Sequence, residues 1–441
     1  MMKTPIVDFS KEYSNKNATR LHMPGHKGKG EDINTLDITE ITGADSLFDA
    51  CGIIKESEEN ASQLFGCQTF YSTEGSSLCI RAMIYLLKLW GEDPVIFAAR
   101  NVHRSFVSAC ALNDIEVEWI CTNEDSTYLS CGIDIDVLDL MLSREKDRLT
   151  AVYITSPDYL GNIADIRAIS AVCKKHKALL IVDNAHGAYL KFLPESAHPI
   201  DLGADICCDS AHKTLPVLTG GAYLHISDNA PHIFKERAKQ SLALFGSTSP
   251  SYLILQSLDR ANGYIVNDYK ERLQETVVKL EHLKDNLSKL GFEIIGNEKL
   301  KLTLATKSFG YYGFEFAKIL EEKNIYCEFS DRDFVVMMFT PENTESDFTS
   351  LFGAVSSIEK KSPIEERAPK ICLPKKALSI REAVFSKSEI VDIDESEGRI
   401  LQELGVSCPP AVPIAVCGEV IDKSAVECFE YYGIDRISVI L

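Results

Sequence analysis

The feature that most restricts the fold is a series of short, almost wholly apolar segments set between helix-like stretches. Val95–Ala98 (VIFA), Ala151–Thr155 (AVYIT) and Ala178–Asp183 (ALLIVD) show no polar–apolar alternation. A strand with one solvated face alternates, whereas a strand covered by helices on both faces does not, so these segments predict a parallel sheet between helical layers. Helical spacing over Ser77–Trp90, Ile135–Arg148 and Ala164–His176, with a short helical stretch after His103, separates them and a further strand at Ile115–Cys121. Short strands at Asp205–Cys208 and Gly221–Ile226 extend the sheet, and Ser251–Leu290 reads as one long helix or two leading out of it. Beyond Gly291, strands at Leu300–Ala305, Ile325–Phe329 and Phe334–Phe339 flank a helix at Phe314–Glu322, before a Pro-punctuated portion from about Lys361. The expected architecture is α/β: an extended N-terminal arm with little core over 1–36, a large domain with a mostly parallel sheet flanked by helices over 37–290, and a smaller α+β C-terminal domain over 291–441.

Charge limits the partners. The chain has 46 Lys and Arg against 65 Asp and Glu, a net charge of −19, which repels phosphate backbones and anionic lipid. Nucleic acid and membrane are therefore not expected partners, and no apolar run approaches the roughly 18 residues of a membrane span. The first ten residues lack the apolar segment of a secretory signal. Fourteen cysteines occur without a C-x-x-C pair, several in apolar stretches, as expected of reduced thiols in a soluble, cytoplasmic protein.

Asp183 ends its strand at the sheet edge where open α/β sheets bind ligands; by itself it reads more readily as the capping carboxylate with which many such strands end. Thirty residues later (213 − 183) comes D-S-A-H-K-T-L-P, which places Lys213 at the same edge among Ser210, His212 and Thr214. A lysine in small polar surroundings suits condensation with a carbonyl. Together, an amine for an aldehyde and an acid for a ring nitrogen suggest pyridoxal 5′-phosphate. Its phosphate has candidate donors in S-T-E-G-S-S, where Gly75 permits close approach and Ser76 and Ser77 open a helix, although a serine pair there is also an ordinary cap. His103, in R-N-V-H-R-S after a strand, is the candidate for the ring face; His186 and His212 compete for active-site roles, and His176, His198, His225, His232 and His282 are read as structural. No cluster has zinc spacing, so no catalytic metal is expected.

With these residues in view, the sequence resembles the bacterial ornithine/lysine/arginine decarboxylases, in particular short forms without an N-terminal receiver-like domain. The resemblance is carried by L-H-M-P-G-H-K-G (Leu21–Gly28), N-V-H-R-S, S-P-D-Y-L-G (Ser156–Gly161), V-D-N-A-H-G-A (Val182–Ala188), S-A-H-K-T-L-P, G-S-T-S-P-S-Y (Gly246–Tyr252), R-E-A (Arg381–Ala383) and C-P-P-A-V-P-I (Cys408–Ile414). It implies the aspartate-aminotransferase type of fold (fold type I of the pyridoxal-phosphate enzymes). Lys213 would carry the cofactor, Asp183 would contact its pyridine nitrogen and His103 would stack on the ring. Ser76 and Ser77, helped by Ser210 and His212, would bind its phosphate. It further implies a homodimer with active sites at the subunit interface, Thr248 and Ser249 reaching the neighbour's phosphate, and His22 and His26 near the entrance. The sequence departs from the family's habits at Glu74, where Asn is frequent, at Asn184, where Glu is frequent, and at Ala411, where Gly is frequent.

The expected reaction is decarboxylation of arginine, lysine or ornithine to the amine and CO₂, with Lys213 or His212 returning a proton to Cα. Glu382, then Asp158, are the candidate carboxylates for the substrate's distal cation. Another lyase, cyclase or aminotransferase with the same cofactor is the alternative. A non-catalytic protein of this fold would not need the full set of Lys213, Asp183 and His103.

Overall fold

The computed structural model describes residues 2–120, 132–145, 148–370, 373–407 and 413–441. Cys121 at the end of an expected strand, residues 146–147 of an expected helix, and residues 408–412 with Ala411 lie outside the described residues.

The chain opens with helices α1 (Pro5–Asn15) and α2 (Ile53–Phe65), then strand β1 (Gln68–Ser72), α3 (Gly75–Trp90) and β2 (Val95–Ala98). It continues through α4 (Arg104–Asn113), β3 (Glu116–Trp119), α5 (Ile135–Arg144), β4 (Thr150–Thr155), α6 (Ile166–His176) and β5 (Leu179–Asp183). Next come α7 (Pro199–Leu202), β6 (Ile206–Asp209), α8 (Ala211–Thr214), β7 (Ala222–Ile226), α9 (His232–Phe245) and α10 (Tyr252–Tyr264). The seven strands form one mostly parallel sheet in the order β1-β7-β6-β5-β4-β2-β3. β5 and β6 are parallel, and β7 runs antiparallel to both β6 and β1. Every residue of β2, β5, β6 and β7 is buried, which is why those segments show no alternation.

Two compact units are distinguishable. The first comprises residues 1–95, 145–153 and 166–270, the second residues 96–144, 154–165 and 271–441. In the first, α3 packs on β6 and β7, α6 on β5, and α2 on β1. The N-terminal segment is not the extended arm that its glycines and polarity suggest. Pro5 at the first turn sets φ for α1, and Ile6, Val7 and Ser10 are buried. Thr4 makes no side-chain cap; instead the Asp259 carboxylate, on α10, accepts the backbone N–H groups of Ile6 and Val7 at 2.9 and 3.0 Å. A cap supplied from a distant part of the chain leaves no local signal.

The helix that leaves α10 passes through a π-helical turn, Ile265–Tyr269, into α11 (Lys270–Lys289), the long run its spacing predicts. The second unit then builds β8 (Glu293–Ile295), β9 (Lys301–Ala305), α12 (Gly313–Glu321), β10 (Phe329–Ser330), β11 (Phe334–Met338) and α13 (Glu345–Ser356). Its antiparallel sheet has the order β10-β11-β9-β8; the strand expected at Ile325–Phe329 shrinks to the two residues of β10. Successive residues of these strands face two different cores. Leu302, Leu304, Val335 and Met337 pack with Leu280, Leu283 and Phe316, while Val336 on the other face joins a core made by the C-terminal portion. That portion adds α14 (Ile380–Val384), β12 (Ser388–Asp392), β13 (Gly405–Ser407), β14 (Pro413–Val416), α15 (Lys423–Tyr431) and β15 (Arg436–Ile440), with β12 paired to β15 and β13 to β14. Among the described residues no helix is long and apolar enough to cross a membrane.

Candidate functional site

Parallel pairing of β5 with β6 puts Asp183 opposite Cys208, so both strands end at one edge. There Asp183 is buried, its Oδ1 accepting from Ala185 N at 3.2 Å and its Oδ2 from the Tyr153 hydroxyl at 3.4 Å. After β6 the chain makes the single turn α8, which carries His212 and Lys213, before β7 returns it. The turn following β5 brings His186 over this edge, and Lys213 Nζ lies 2.9 Å from His186 Nε2. An ammonium only donates, so a charged Lys213 makes Nε2 the acceptor. His212 Nδ1 donates to the Gly221 carbonyl at 3.0 Å, which keeps a proton on Nδ1 and directs Nε2 to other chemistry.

The start of α3 lies against the same turn. Gly75 adopts φ +70° and nothing lies within 4 Å of the position a Cβ would take. The Ser210 hydroxyl donates to Ser76 Oγ at 2.9 Å, and Ser76 and Ser77 occupy the first turn of a sixteen-residue helix. A left-handed glycine beside open space, two hydroxyls and a helix N-terminus suit a phosphate group. An amine on a short turn with an imidazole beside it, at the strand edge where a carboxylate is buried, suits an aromatic aldehyde. On donor chemistry, these residues fit pyridoxal phosphate. Glu74 enters this neighbourhood with its carboxylate, which accepts Ser247 N at 2.6 Å and so holds the exposed loop bearing Thr248 and Ser249. His26 Nε2 donates to Asp37 at 3.1 Å while its Nδ1 accepts Gly28 N; His22 Nε2 lies 2.7 Å from the Tyr13 hydroxyl.

In the second unit, His103 caps α4, its Nδ1 accepting Ser105 N at 3.2 Å, so the neutral ring carries its proton on Nε2. Just before it, Arg100 is fully buried and its guanidinium grips the Glu419 carboxylate twice, at 2.7 and 2.7 Å. Arg100 also donates to the Pro413 carbonyl at 3.1 Å and lies over the Trp119 ring, 4.8 Å from its centroid. Asp158 is buried, both its carboxylate oxygens accepting from Asn162, while its carbonyl accepts from Lys301 Nζ at 3.0 Å. Glu382 is exposed and returns its carboxylate to Ser379 N at 2.9 Å in a capping box. Hydrogen bonding from the Ser379 backbone, then from its side chain, holds the Glu382 carboxyl below the usual range.

One constellation escaped the sequence reading. Asp209, the last residue of β6, is wholly buried, with Oδ2 accepting from both His198 Nε2 and His225 Nε2 at 3.1 Å, and Oδ1 from Asn184 Nδ2 at 2.7 Å. Burial alone would raise its pKa, but the two imidazoles hold it well below the carboxylate range. Among the described residues His198, Cys207 and Asp209 bring potential metal-ligand atoms within 4.8 Å of one another; the His198–Asp209 hydrogen bond joins two of them, and Cys207 and Asp209 share β6. The available signal was periodicity: Cys207 and Asp209 share one face of β6, and His225 pairs with Cys207 across the ladder.

Comparison with known proteins adds the following. The family described as "Orn/Lys/Arg decarboxylase, major domain" matches residues 4–303, and its "C-terminal domain" matches residues 364–435. An arginine decarboxylase of Bacillus subtilis is 28% identical over 456 residues, spanning 96% of this chain and 92% of its own. One of Halalkalibacterium halodurans is 28% identical with the same coverage of both chains. Among solved structures, a Francisella novicida lysine decarboxylase superposes on all of this chain and 81% of its own at TM-score 0.81 and 17% identity. Lysine decarboxylase A from Pseudomonas aeruginosa covers 99% of this chain and 80% of its own at TM-score 0.82 and 16% identity. At these identities the structural likeness speaks for the fold.

Proposed function

Because the chain belongs to the Orn/Lys/Arg decarboxylase family, we propose that it releases CO₂ from arginine, lysine or ornithine, using pyridoxal 5′-phosphate held at Lys213. The observation that carries this reading is the 2.9 Å approach of Lys213 Nζ to His186 Nε2, at the strand edge where Asp183 is buried and α3 begins. Once bound, pyridoxal phosphate supplies a ring that accepts the electron pair left at the substrate's Cα.

The chain's own groups do the rest. Asp183 would face the ring nitrogen and hold its proton, and His103 would cover a ring face. Ser76, Ser77, Ser210 and the α3 N-terminus would hold the phosphate. The carboxylate lost as CO₂ must be replaced at Cα by a proton, for which Lys213 Nζ and His212 Nε2 are the proposed donors. For the substrate's distal cation the proposed carboxylates are Glu382 and then Asp158. Each already accepts a hydrogen bond from its own segment, so a cation there would share an occupied acceptor. Thr248 and Ser249, on the exposed loop that Glu74 holds, are proposed to complete the phosphate site of a second copy in a homodimer. Eight of the ten described cysteines are buried and none is in a disulfide, which favours a reducing compartment such as the cytoplasm.

The test is product analysis with purified protein and each of the three amino acids, alongside an absorbance scan with added pyridoxal phosphate. Expected are CO₂ with agmatine, cadaverine or putrescine, and a near-visible band that Lys213→Ala abolishes. A keto acid product, or a band that survives in Lys213→Ala, would overturn the reading.

A further inference from the structure

The turn that follows β5 is held by one residue, Asn184, through its side chain and its backbone. Asn184 Nδ2 donates to Asp209 Oδ1 at 2.7 Å, and its backbone N–H donates to the Cys208 carbonyl at 2.9 Å. Its carbonyl accepts Gly187 N at 2.8 Å, closing the turn that contains His186. Its amide oxygen is wedged against Gly187, where an added Cβ would lie 2.0 Å away. Asn184 is fully buried, as is Asp209, and the latter is fixed in turn by His198 and His225, with His225 Nδ1 2.9 Å from the Thr69 hydroxyl. A residue pinned by its amide to a buried carboxylate, and by its backbone to both β6 and Gly187, leaves His186 little freedom.

We propose that Asn184, clamped by Asp209, is a positioning residue that fixes the turn aiming His186 Nε2 at Lys213 Nζ. It touches no reacting atom and acts through His186. The inference rests on the reading of Lys213 as the cofactor-binding amine, and it extends that reading to a buried support beneath the strand ends.

The positioned imidazole accepts from the charged amine and so favours its protonated form. Asn184→Ala should release His186 and lower the pH midpoint for modification of Lys213 by at least about half a pH unit, roughly threefold in proton affinity. The measurement is carbamylation of the Lys213 peptide by cyanate, followed by mass spectrometry across pH on the cofactor-free full chain, with far-ultraviolet dichroism to confirm folding. The pH midpoint of the near-visible band of the cofactor-loaded protein should also move.

A second pair keeps the test decisive if Asn184→Ala does not fold. Asn184→Asp sets two carboxylates against each other and should displace the turn. Adding Asp209→Asn restores one donor and one acceptor, with the new amide oxygen still facing His198 and His225, and should return the midpoint to the parental value. A folded Asn184→Ala with the parental midpoint, or a double variant no closer to the parent than Asn184→Asp, overturns the proposal. Survival of the visible band in Lys213→Ala would instead overturn the reading on which it rests.

Discussion

Glu419→Gln should be among the most destabilising single changes in the second unit, and its cost follows from burial. Arg100 and Glu419 side chains are 0% and 4% exposed, and the carboxylate meets both guanidinium nitrogens at 2.7 Å while also accepting Val416 N at 2.8 Å. Replacing the carboxylate with a neutral amide leaves the guanidinium charge out of water with one acceptor at residue 419 where it had two, beside the Pro413 carbonyl. Breaking a buried pair in this way costs about 3–5 kcal/mol, or about 150- to 5,000-fold in the unfolding equilibrium. For a cooperative chain of 441 residues, about 2.1 cal/mol/K of unfolding entropy per residue makes this a fall of about 3–5 °C in Tm. The reporter is built in, since Trp119 lies under the Arg100 guanidinium and the sequence has two tryptophans. In a Trp90→Phe background, urea unfolding followed by fluorescence reports on this contact. Arg100→Met/Glu419→Leu removes both charges but leaves the Val416 N–H and the Pro413 carbonyl without their side-chain partners at about 1–3 kcal/mol each, so it too should be destabilised. If Glu419→Gln matches the parent, the reasoning from an unpaired buried charge is wrong.

Three further outcomes are expected. Burial raises the Asp259 carboxyl to about 6, above its unfolded value of about 3.9, so its favourable contribution is complete below pH 4 and is lost as pH rises through 6; the difference is worth about 3 kcal/mol. Asp259→Asn keeps an acceptor for Ile6 and Val7, so denaturant melts should show it more stable than the parent at pH 7.5 and level with it near pH 4, and a variant weaker at pH 7.5 would refute this. Glu74→Gln keeps an acceptor for Ser247 N while removing a charge beside the α3 N-terminus, and should tighten pyridoxal phosphate about three- to tenfold in an absorbance titration at low salt; weaker binding would show that the loop contact dominates. Glu382→Gln should raise KM for the basic amino acid about tenfold with kcat little changed if the distal cation is bound there, and an unchanged KM would assign that carboxylate to helix capping alone.

The sequence revealed what is periodic or local. Continuous apolar strands announced the buried sheet, and the segment from Asp209 to Pro216 announced an amine at its edge, because each is written within a few consecutive residues. The Ser379–Glu382 spacing was equally local, an S-x-x-E capping signal within the same short stretch as the R-E-A motif. What stayed hidden depends on pairing across the chain. His198 and His225 read as ordinary histidines because the carboxylate that orders them belongs to another strand. Arg100 read as one residue of a loop motif because Glu419, its partner, lies 319 positions away. The strand β1 is short and is defined by its antiparallel register with β7, a tertiary event no five-residue window contains.

The remote capping of α1 has a consequence for biosynthesis. Asp259 lies 253 positions beyond the Ile6 amide that it receives, so at about 5–20 residues per second the ribosome takes about 13–50 s to supply the acceptor after the helix is made. Through that interval the emerging N-terminus lacks its anchor. Nascent chains halted short of residue 259 should be cleaved there by added protease, and chains released with α10 outside the exit tunnel should resist.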